Sequence, residues 1–289
     1  MDISQDIQED ILPPFRKLLE GCKNIKIHPY YTGPFEVFEE GRSSDVVWDL
    51  APLLRVMHEY SHCGKQVLEI GCGSGRVTFY LAEQGFEVLG VDSSQDSLAR
   101  LDKCLESQPD LVPKIRTIHA DFLSETYNIE GKFDMVVLAN LSINSFWKEE
   151  SAVALLKRVK TLLKPDGAFC FGIFADDTVQ NFTMYKDQVI TATYKDGDGI
   201  QRIMWVAIKF ELESQIRLQT SFLEALPTEK KEVLGHLSVI KERVWSLSTF
   251  MPLLQSAGFS ITDKVECTIE GGGGHGWPLF MVAAQPTFN

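Results

Sequence analysis

The sequence predicts an α/β protein: a doubly wound, mostly parallel seven-stranded sheet with an inserted antiparallel β cap and N-terminal helices. Three observations predict this fold. From residue 66 onward, short β-rich runs alternate with helix-length amphipathic stretches, which is typical of βαβ units around a buried parallel sheet. The chain between Phe174 and Leu247 lacks that alternation. Beyond it lie a helical stretch and two β-rich runs joined by GGGGHGW.

Length and composition fit a globular protein. The 289 residues are 44% hydrophobic and 24% charged, enough apolar material for one large domain or two small ones. The 28 basic and 40 acidic residues give a net charge of −12, which repels phosphate backbones and disfavours nucleic acid as a partner. The N-terminus MDISQDIQED does not resemble a signal peptide, no apolar run is long enough to span a membrane, and the six cysteines form no C-x-x-C. We expect a cytoplasmic protein with free thiols and no membrane partner, as a monomer or homodimer.

Four segments follow from these patterns. We predict an N-terminal helical or lid segment (1–62), a cofactor-binding α/β core (63–175), an inserted β-rich substrate cap (176–245), and a C-terminal helix with an edge hairpin (246–289). In the first segment, the spacing of apolar residues predicts helices around Ile7–Leu19 and Val46–Met57, separated by the aromatic, turn-rich stretch HPYYTGPFEVFEEG.

The core and cap elements are predicted in chain order. Core strands are expected at VLEIGC, EVLGVD, KIRTIHAD, FDMVVLAN and AFCFGIF, with helices at RVTFYLAEQG, SQDSLARLDKCLE and EESAVALLKRVKTLL. In the cap, VITATY, IQRIMWVAIKFELE and SQIRLQTSFLEAL predict an antiparallel meander, and EVLGHLSVIKERV, which contains His236, predicts a helix. SITDKVECTIE and PLFMVAAQP predict a hairpin at the sheet edge.

The first core strand runs into a glycine-rich turn. Glu69 is followed by Gly71, Cys72, Gly73, Ser74 and Gly75, and such a turn lets backbone amides approach a ligand closely. The dinucleotide fingerprint G-x-G-x-x-G has a different spacing. An acid two residues before the glycines would also repel a pyrophosphate, whereas it suits a ligand with an ammonium or sulfonium group.

Carboxylates also follow the next two strands. Asp92, with Ser93 after it, ends the second strand and lies 17 residues beyond Gly75, and Asp121-Phe122 ends the third. Because parallel strands end at one edge of the sheet, these side chains suit a nucleoside with a positively charged tail, Asp92 accepting hydrogen bonds from ribose hydroxyls.

Residues 66 to about 174 resemble the class I S-adenosylmethionine-dependent methyltransferases, whose first motif reads E/D-x-G-x-G-x-G. The resemblance implies S-adenosylmethionine as cofactor and S-adenosylhomocysteine as product. It places Glu69 and Gly71 to Gly75 at the methionine and ribose, Asp92 and Ser93 at the ribose, and Asp121 and Phe122 at the adenine. It also places Ala139, Asn140 and Leu141 beside the methyl group.

Two narrower resemblances concern the acceptor. An inserted β layer followed by SLSTFMPLLQSAGF is similar to small-molecule N- and O-methyltransferases. GSGRVT with VVLANLSINSF resembles the methyltransferases of daptide-type peptide biosynthesis, which methylate a terminal amine. A nitrogen or oxygen of a small molecule or peptide is therefore the expected acceptor.

Methyl displacement needs positioning, desolvation and a deprotonated acceptor rather than a protein nucleophile. The catalytic candidates are His275, in the glycine-rich loop, Tyr31 and Asn140. Tyr30, Tyr31, Asn144 and Trp277 are the substrate-binding candidates, because their rings and polar atoms can orient an acceptor.

Other functions stay open at this point. An NAD-dependent oxidoreductase is disfavoured by the glycine spacing, and a nucleic-acid methyltransferase by the missing basic stripe and by A-N-L-S in place of D/N-P-P-Y. A cofactor-binding partner subunit without turnover is the remaining alternative. Asp176-Asp177 follows the fifth strand, and we interpret it as a charged loop rather than a metal site.

Overall fold

The computed structural model describes residues 9–43, 47–60, 62, 64–124, 127–185, 188–195, 201–225, 233–270 and 276–287. The helices are α1 (Pro13–Gly21), α2 (Pro34–Ser43), α3 (Leu50–His58), α4 (Arg76–Glu83), α5 (Gln95–Glu106), α6 (Glu149–Leu162), α7 (Asp176–Asn181) and α8 (Leu247–Ser256). The strands are β1 (Ile25–Pro29), β2 (Gln66–Ile70), β3 (Glu87–Asp92), β4 (Ile115–His119), β5 (Phe133–Leu138), β6 (Leu163–Phe174), β7 (Gln188–Lys195), β8 (Gln201–Glu211), β9 (Ile216–Glu224), β10 (Gly235–Arg243), β11 (Phe259–Glu270) and β12 (Gly276–Pro286). Among these described helices, none is long and apolar enough to cross a membrane.

By its contacts the chain divides into two compact units. The larger unit comprises residues 46–180 and 244–289, and the smaller one residues 1–45 and 181–243. The four segment boundaries drawn from the sequence stay a prediction.

The larger unit is built on a sheet of seven strands, counted over the described residues, in the order β11-β12-β6-β5-β2-β3-β4. The strands from β6 to β4 are parallel to their neighbours, and β12 is antiparallel to both β6 and β11. This confirms the predicted fold class. The chain order reverses between β2 and β5, and ligands of doubly wound sheets bind at the carboxyl edge of such a switch point.

Helices cover both faces of this sheet, because successive strand residues point to opposite sides. Leu68 and Val136 pack in one core cluster with residues of α6 and α8, whereas Val67 and Val137 pack in another with residues of α3 and α4. Both clusters consist of buried side chains, and each large aliphatic one contributes about 1.5–3 kcal/mol to folding. Because helices cover both faces of the sheet, the ends of the strands are where a binding site can form.

The smaller unit is a five-stranded sheet over the described residues, in the order β1-β10-β9-β8-β7. The pairs from β10 to β7 are antiparallel, which confirms the inserted antiparallel layer, and β1 joins β10 in parallel. Phe15 of α1 packs with Leu237 in one cluster, and Phe35 of α2 packs with Met204 in another.

The predicted helix EVLGHLSVIKERV is wrong, because this segment forms the strand β10. Both of its faces are buried: Leu237 packs into the cluster with Phe15, and the His236 Nδ1 lies 2.9 Å from the Nε2 of His28 on β1. A strand covered on both sides has no alternation of apolar and polar residues, so its pattern is easily mistaken for that of a buried helix.

The N-terminal predictions need smaller corrections. The described helix α1 begins at Pro13, because Pro13 and Pro14 suit a first helical turn, where no backbone donor is needed; the predicted start near Ile7 lies outside the described residues. α3 begins at Leu50 rather than Val46. The strand β1 between them was not predicted from the sequence.

Candidate active site

The turn after β2 takes a shape that only glycines adopt easily. Gly71, Gly73 and Gly75 have φ of 70°, 54° and 95°, the left-handed region that L-residues with a Cβ disfavour. A Cβ built on Gly71 or Gly73 would meet nothing within 4 Å, whereas one on Gly75 would lie 2.8 Å from the Phe79 ring. Gly71 and Gly73 therefore expose backbone to open space, and Gly75 allows the turn to pack on α4.

The core holds this turn in place. The Gly71 N–H donates to the Val91 carbonyl oxygen at 2.7 Å, and the Gly75 N–H to that of Cys72 at 3.0 Å. Cys72 is buried against Gly90, where a Cβ would lie 2.7 Å from its Sγ. Burial raises the pKa of the Cys72 thiol far above its ordinary value, so this residue acts in packing rather than as a nucleophile. Ser74 is half-buried in the same turn.

Asp92, at the end of β3, braces the turn from the neighbouring strand. Its Oδ2 accepts a hydrogen bond from the Gly73 N–H at 2.8 Å and its Oδ1 one from the Ser94 N–H at 2.8 Å. A carboxylate has about four acceptor positions, so two remain for a ligand. Ser93, between Asp92 and Ser94 in the chain, is exposed, and its carbonyl oxygen lies 3.0 Å from the Nε2 of His119.

Glu69 lies beneath the turn. It is buried, and its Oε2 accepts a hydrogen bond from the Thr78 hydroxyl at 2.5 Å. Burial raises the pKa of the Glu69 carboxyl to about 8, although the Thr78 hydrogen bond and the charge of Arg76 lower it. The neutral carboxyl therefore dominates near neutral pH, whereas the sequence suggested an anion facing a cationic ligand.

We expect the stability of the chain to fall with rising pH because of Glu69. Its pKa is about 8 in the folded protein, against an ordinary 4.5, so the stabilisation is complete below pH 4.5 and is lost as the pH rises through 8. Relative to Glu69→Gln, the wild type should lose about 1 kcal/mol of unfolding free energy per pH unit in this window. Denaturant unfolding of both proteins at several pH values measures the difference. A difference that does not change with pH would contradict the expectation.

The end of β5 faces the glycine turn across the switch point. Ala139 is buried, and Asn140 and Leu141 have φ of 50° and 59°. Two consecutive left-handed residues other than glycine are unusual, and such strain concentrates at functional sites. The Asn140 N–H donates to Oδ2 of Asp49 at 3.2 Å.

Asp49 is part of this arrangement, and the sequence analysis missed it. The side chain is fully buried and forms a two-pronged ion pair with Arg76, with Nη1 to Oδ1 and Nη2 to Oδ2 both at 2.7 Å. An aspartate before an apolar helix indicates a helix cap, so nothing in the local sequence pointed to Arg76.

Asp121 and Phe122 follow β4 at the same carboxyl edge. Asp121 is exposed, and its Oδ1 accepts a hydrogen bond from the Leu123 N–H at 2.9 Å. Phe122 is buried, and the Arg158 guanidinium lies 5.2 Å from the centre of its ring. Asp121 is thus placed to meet a ligand, whereas the Phe122 ring belongs to the core.

The predicted acceptor residues are distributed over both units. In the larger unit, Oδ1 of the buried Asn144 accepts the Trp245 N–H at 3.1 Å, and the Trp277 ring lies 6.4 Å from that of Phe174. In the smaller unit, the rings of Tyr30 and Tyr31 meet edge to face at 4.7 Å. Tyr31 is 45% exposed and has a φ of 61°. His275 lies outside the described residues.

The described residues fit the cofactor that the resemblance implies. Open space borders Gly71 and Gly73, the Asp92 carboxylate follows the neighbouring strand, and the Asn140 backbone closes the opposite side at the end of β5. Backbone carbonyl oxygens and a carboxylate can accept hydrogen bonds from the amino group and the hydroxyls of a nucleoside with an amino-acid tail. The larger unit therefore carries one cradle built from the ends of β2, β3 and β5.

Comparison with known sequences points to a family. Residues 67–167 match the family described as a methyltransferase domain. YqeM of Bacillus subtilis (strain 168), a methyltransferase by name, is 33% identical over 141 residues, which are 48% of this chain and 52% of that protein. The cypemycin N-terminal methyltransferase of a Streptomyces species is 34% identical over 105 residues, 36% of this chain and 40% of that protein. This chain therefore spans about half of these relatives or less.

Comparison with solved structures supports the same fold. An S-adenosylmethionine-dependent methyltransferase from Clostridium acetobutylicum ATCC 824 aligns with a TM-score of 0.66, covering 88% of this chain and 97% of its own, at 19% identity. The likeness at this identity concerns the fold.

Proposed function

We propose that this chain, a class I S-adenosylmethionine-dependent methyltransferase by its domain and fold, methylates a nitrogen or oxygen of a small-molecule or peptide acceptor, with an amine nitrogen favoured. One observation carries the proposal: the positive-φ glycine turn, Asp92 and the left-handed Asn140-Leu141 pair meet at the switch point of the sheet. The amine is supported by the relative named as an N-terminal methyltransferase, which is 34% identical to this chain over 105 residues.

The residues of the cradle act through position and charge. When bound, S-adenosylmethionine would supply a sulfonium methyl group: the acceptor lone pair bonds to the methyl carbon as the C–S bond breaks, and the electron pair stays on the sulfur of S-adenosylhomocysteine. We propose that Gly71 and Gly73 present their backbone to the methionine portion, and that Asp92 accepts hydrogen bonds from the ribose hydroxyls. Asp121 is proposed at the adenine, because its carboxylate is exposed at the next strand end.

The acceptor side is proposed from fewer contacts. Asn140 is a better candidate than Asn144 to orient the acceptor, since the side-chain oxygen of Asn144 already accepts the Trp245 N–H inside the core. Trp277 is proposed to line the acceptor site, and the substrate-binding role of Tyr30 and Tyr31 stays a prediction from the sequence. An amine attacks only in its neutral form, and His275 is the proposed base that removes its proton.

Two measurements test this function. Calorimetric titration with S-adenosylmethionine and S-adenosylhomocysteine should show micromolar binding of both, with NADH as a negative control. Mass spectrometry should then show methyl addition to peptides or amino compounds with a free amine, and none to the same peptides after N-acetylation. Exclusive methylation of phenols would contradict the amine acceptor. Cofactor binding without turnover on any acceptor would instead favour a non-catalytic partner subunit.

A further inference from the structure

We propose that Asp49 is a positioning residue for the cofactor cradle: through Arg76 and the Asn140 N–H it fixes the start of α4 and the end of β5 before the cofactor binds. The inference rests on the proposed function, since the cradle must hold the cofactor. It concerns a carboxylate that lies outside the glycine motif.

The contacts of Asp49 account for both of its oxygens. Oδ1 accepts from Arg76, and Oδ2 accepts from Arg76 and from the Asn140 N–H, at distances between 2.7 and 3.2 Å. The side chain has no solvent exposure, and a buried carboxylate is stable only with such partners. The Asp49 carboxylate therefore joins Arg76, which follows β2, to Asn140, which follows the adjacent strand β5.

Capping of a helix does not explain this residue. Asp49 directly precedes α3, where an aspartate ordinarily accepts a hydrogen bond from the first helical turn. Its side chain makes no such bond. Instead it binds Arg76, 27 residues away, and Asn140, 91 residues away. Asp49 therefore stabilises the two sides of the cradle, at Arg76 and at Asn140, rather than the first turn of α3.

The charge of the pair also matters at this place. Arg76 is the first residue of α4, directly after Gly75. A cation there opposes the helix dipole, and the two-pronged ion pair with Asp49 offsets its charge beside a cradle that receives a sulfonium. Arg76 lowers and Asp49 raises the pKa of the neighbouring Glu69, so both charges act on the base of the turn.

The hydrogen bond to Asn140 supports a strained backbone. Asn140 and Leu141 both have a positive φ. Residues other than glycine adopt this conformation only where neighbouring contacts stabilise it. Without the acceptor at Asp49, the end of β5 would populate other conformations. The cofactor would then have to order this segment when it binds, and its affinity would fall accordingly.

The test compares two buried carboxylates of the larger unit. Asp49→Asn keeps the shape but removes the charge, and we expect the dissociation constant of S-adenosylhomocysteine to rise about tenfold. Asp134 is the matched control: it is also fully buried, pairs with Lys164 at 2.9 Å and accepts the Gln66 N–H at 2.9 Å, but it lies at the amino edge of the sheet. Asp134→Asn should lower the melting temperature without changing the affinity.

The outcomes separate the two proposals. Calorimetry is carried out below the melting temperature of each variant, so a merely structural role would leave the affinity unchanged. Unchanged affinity in Asp49→Asn beside a binding wild type overturns this inference alone, whereas a wild type that does not bind overturns the proposed function as well. Should Asp49→Asn not fold, Arg76→Lys keeps the charge and loses the two-pronged geometry. Its affinity should also fall, and an unchanged value overturns the inference.

Discussion

Replacing Gly73 by valine should abolish measurable binding of S-adenosylhomocysteine, raising its dissociation constant by more than about 100-fold, or about 2.7 kcal/mol. Gly73 has a φ of 54°, and a Cβ there would point into space with no atom within 4 Å. The valine methyl groups would occupy the space that we assign to the cofactor. A branched side chain also disfavours the left-handed backbone on which the turn depends. Titration calorimetry of the folded variant measures the loss.

Gly131→Val is the matched control for this effect. Gly131 also has a positive φ, 108°, and its Cβ would likewise meet nothing within 4 Å, but it precedes β5 at the amino edge of the sheet. We expect both variants to lose stability through backbone strain, and only Gly73→Val to lose affinity. Equal affinities in the two variants would show that the space above Gly73 is not the cofactor site.

The parallel core could be predicted because its information is local. Strands such as β2 and β5 are buried on both faces, so they read as short apolar runs between amphipathic helices. The glycine turn could be predicted for the same reason, since three glycines within five residues mark a backbone that needs positive φ. Each signal is complete within one stretch of the chain.

The smaller unit could be predicted only in part, because its pairing is not local. β1 is a five-residue strand whose partner β10 begins at Gly235, so no nearby turn or partner strand marks it. β10 is covered on both faces and has a mixed composition, and its pattern suggested a helix. The assignment of such strands depends on partners distant in sequence, which propensity does not reveal.

The residues of the candidate site could likewise be predicted only in part. Gly71, Gly73 and Asp92 were predicted from their spacing alone. In the structure the Asp92 carboxylate accepts a hydrogen bond from the Gly73 N–H. Asp49 was missed because its partners are distant in sequence. Glu69 was also predicted, but its neutral state was not, because its pKa is raised by burial and no motif encodes burial.

Replacing Asp92 by alanine should weaken binding of S-adenosylhomocysteine by about 1.5–3 kcal/mol, the usual contribution of a charged hydrogen bond. The carboxylate has two roles in the proposal: it accepts the Gly73 and Ser94 N–H groups, and it receives the ribose hydroxyls. Asp92→Asn retains one oxygen acceptor and loses the charge, so its affinity should fall between those of the wild type and Asp92→Ala. Calorimetry of the three proteins gives the order.

The two roles of Asp92 are separable with ligands that differ only in the ribose. Wild type should bind adenosine more tightly than 2′,3′-dideoxyadenosine, because only adenosine offers hydroxyls to the carboxylate. If Asp92 contacts the ribose, this preference should disappear in Asp92→Ala, since a coupling energy vanishes when either partner is absent. If Asp92 only braces the turn, both ligands should weaken equally and the preference should persist. A persisting preference would remove Asp92 from the ribose and leave it as a support for Gly73.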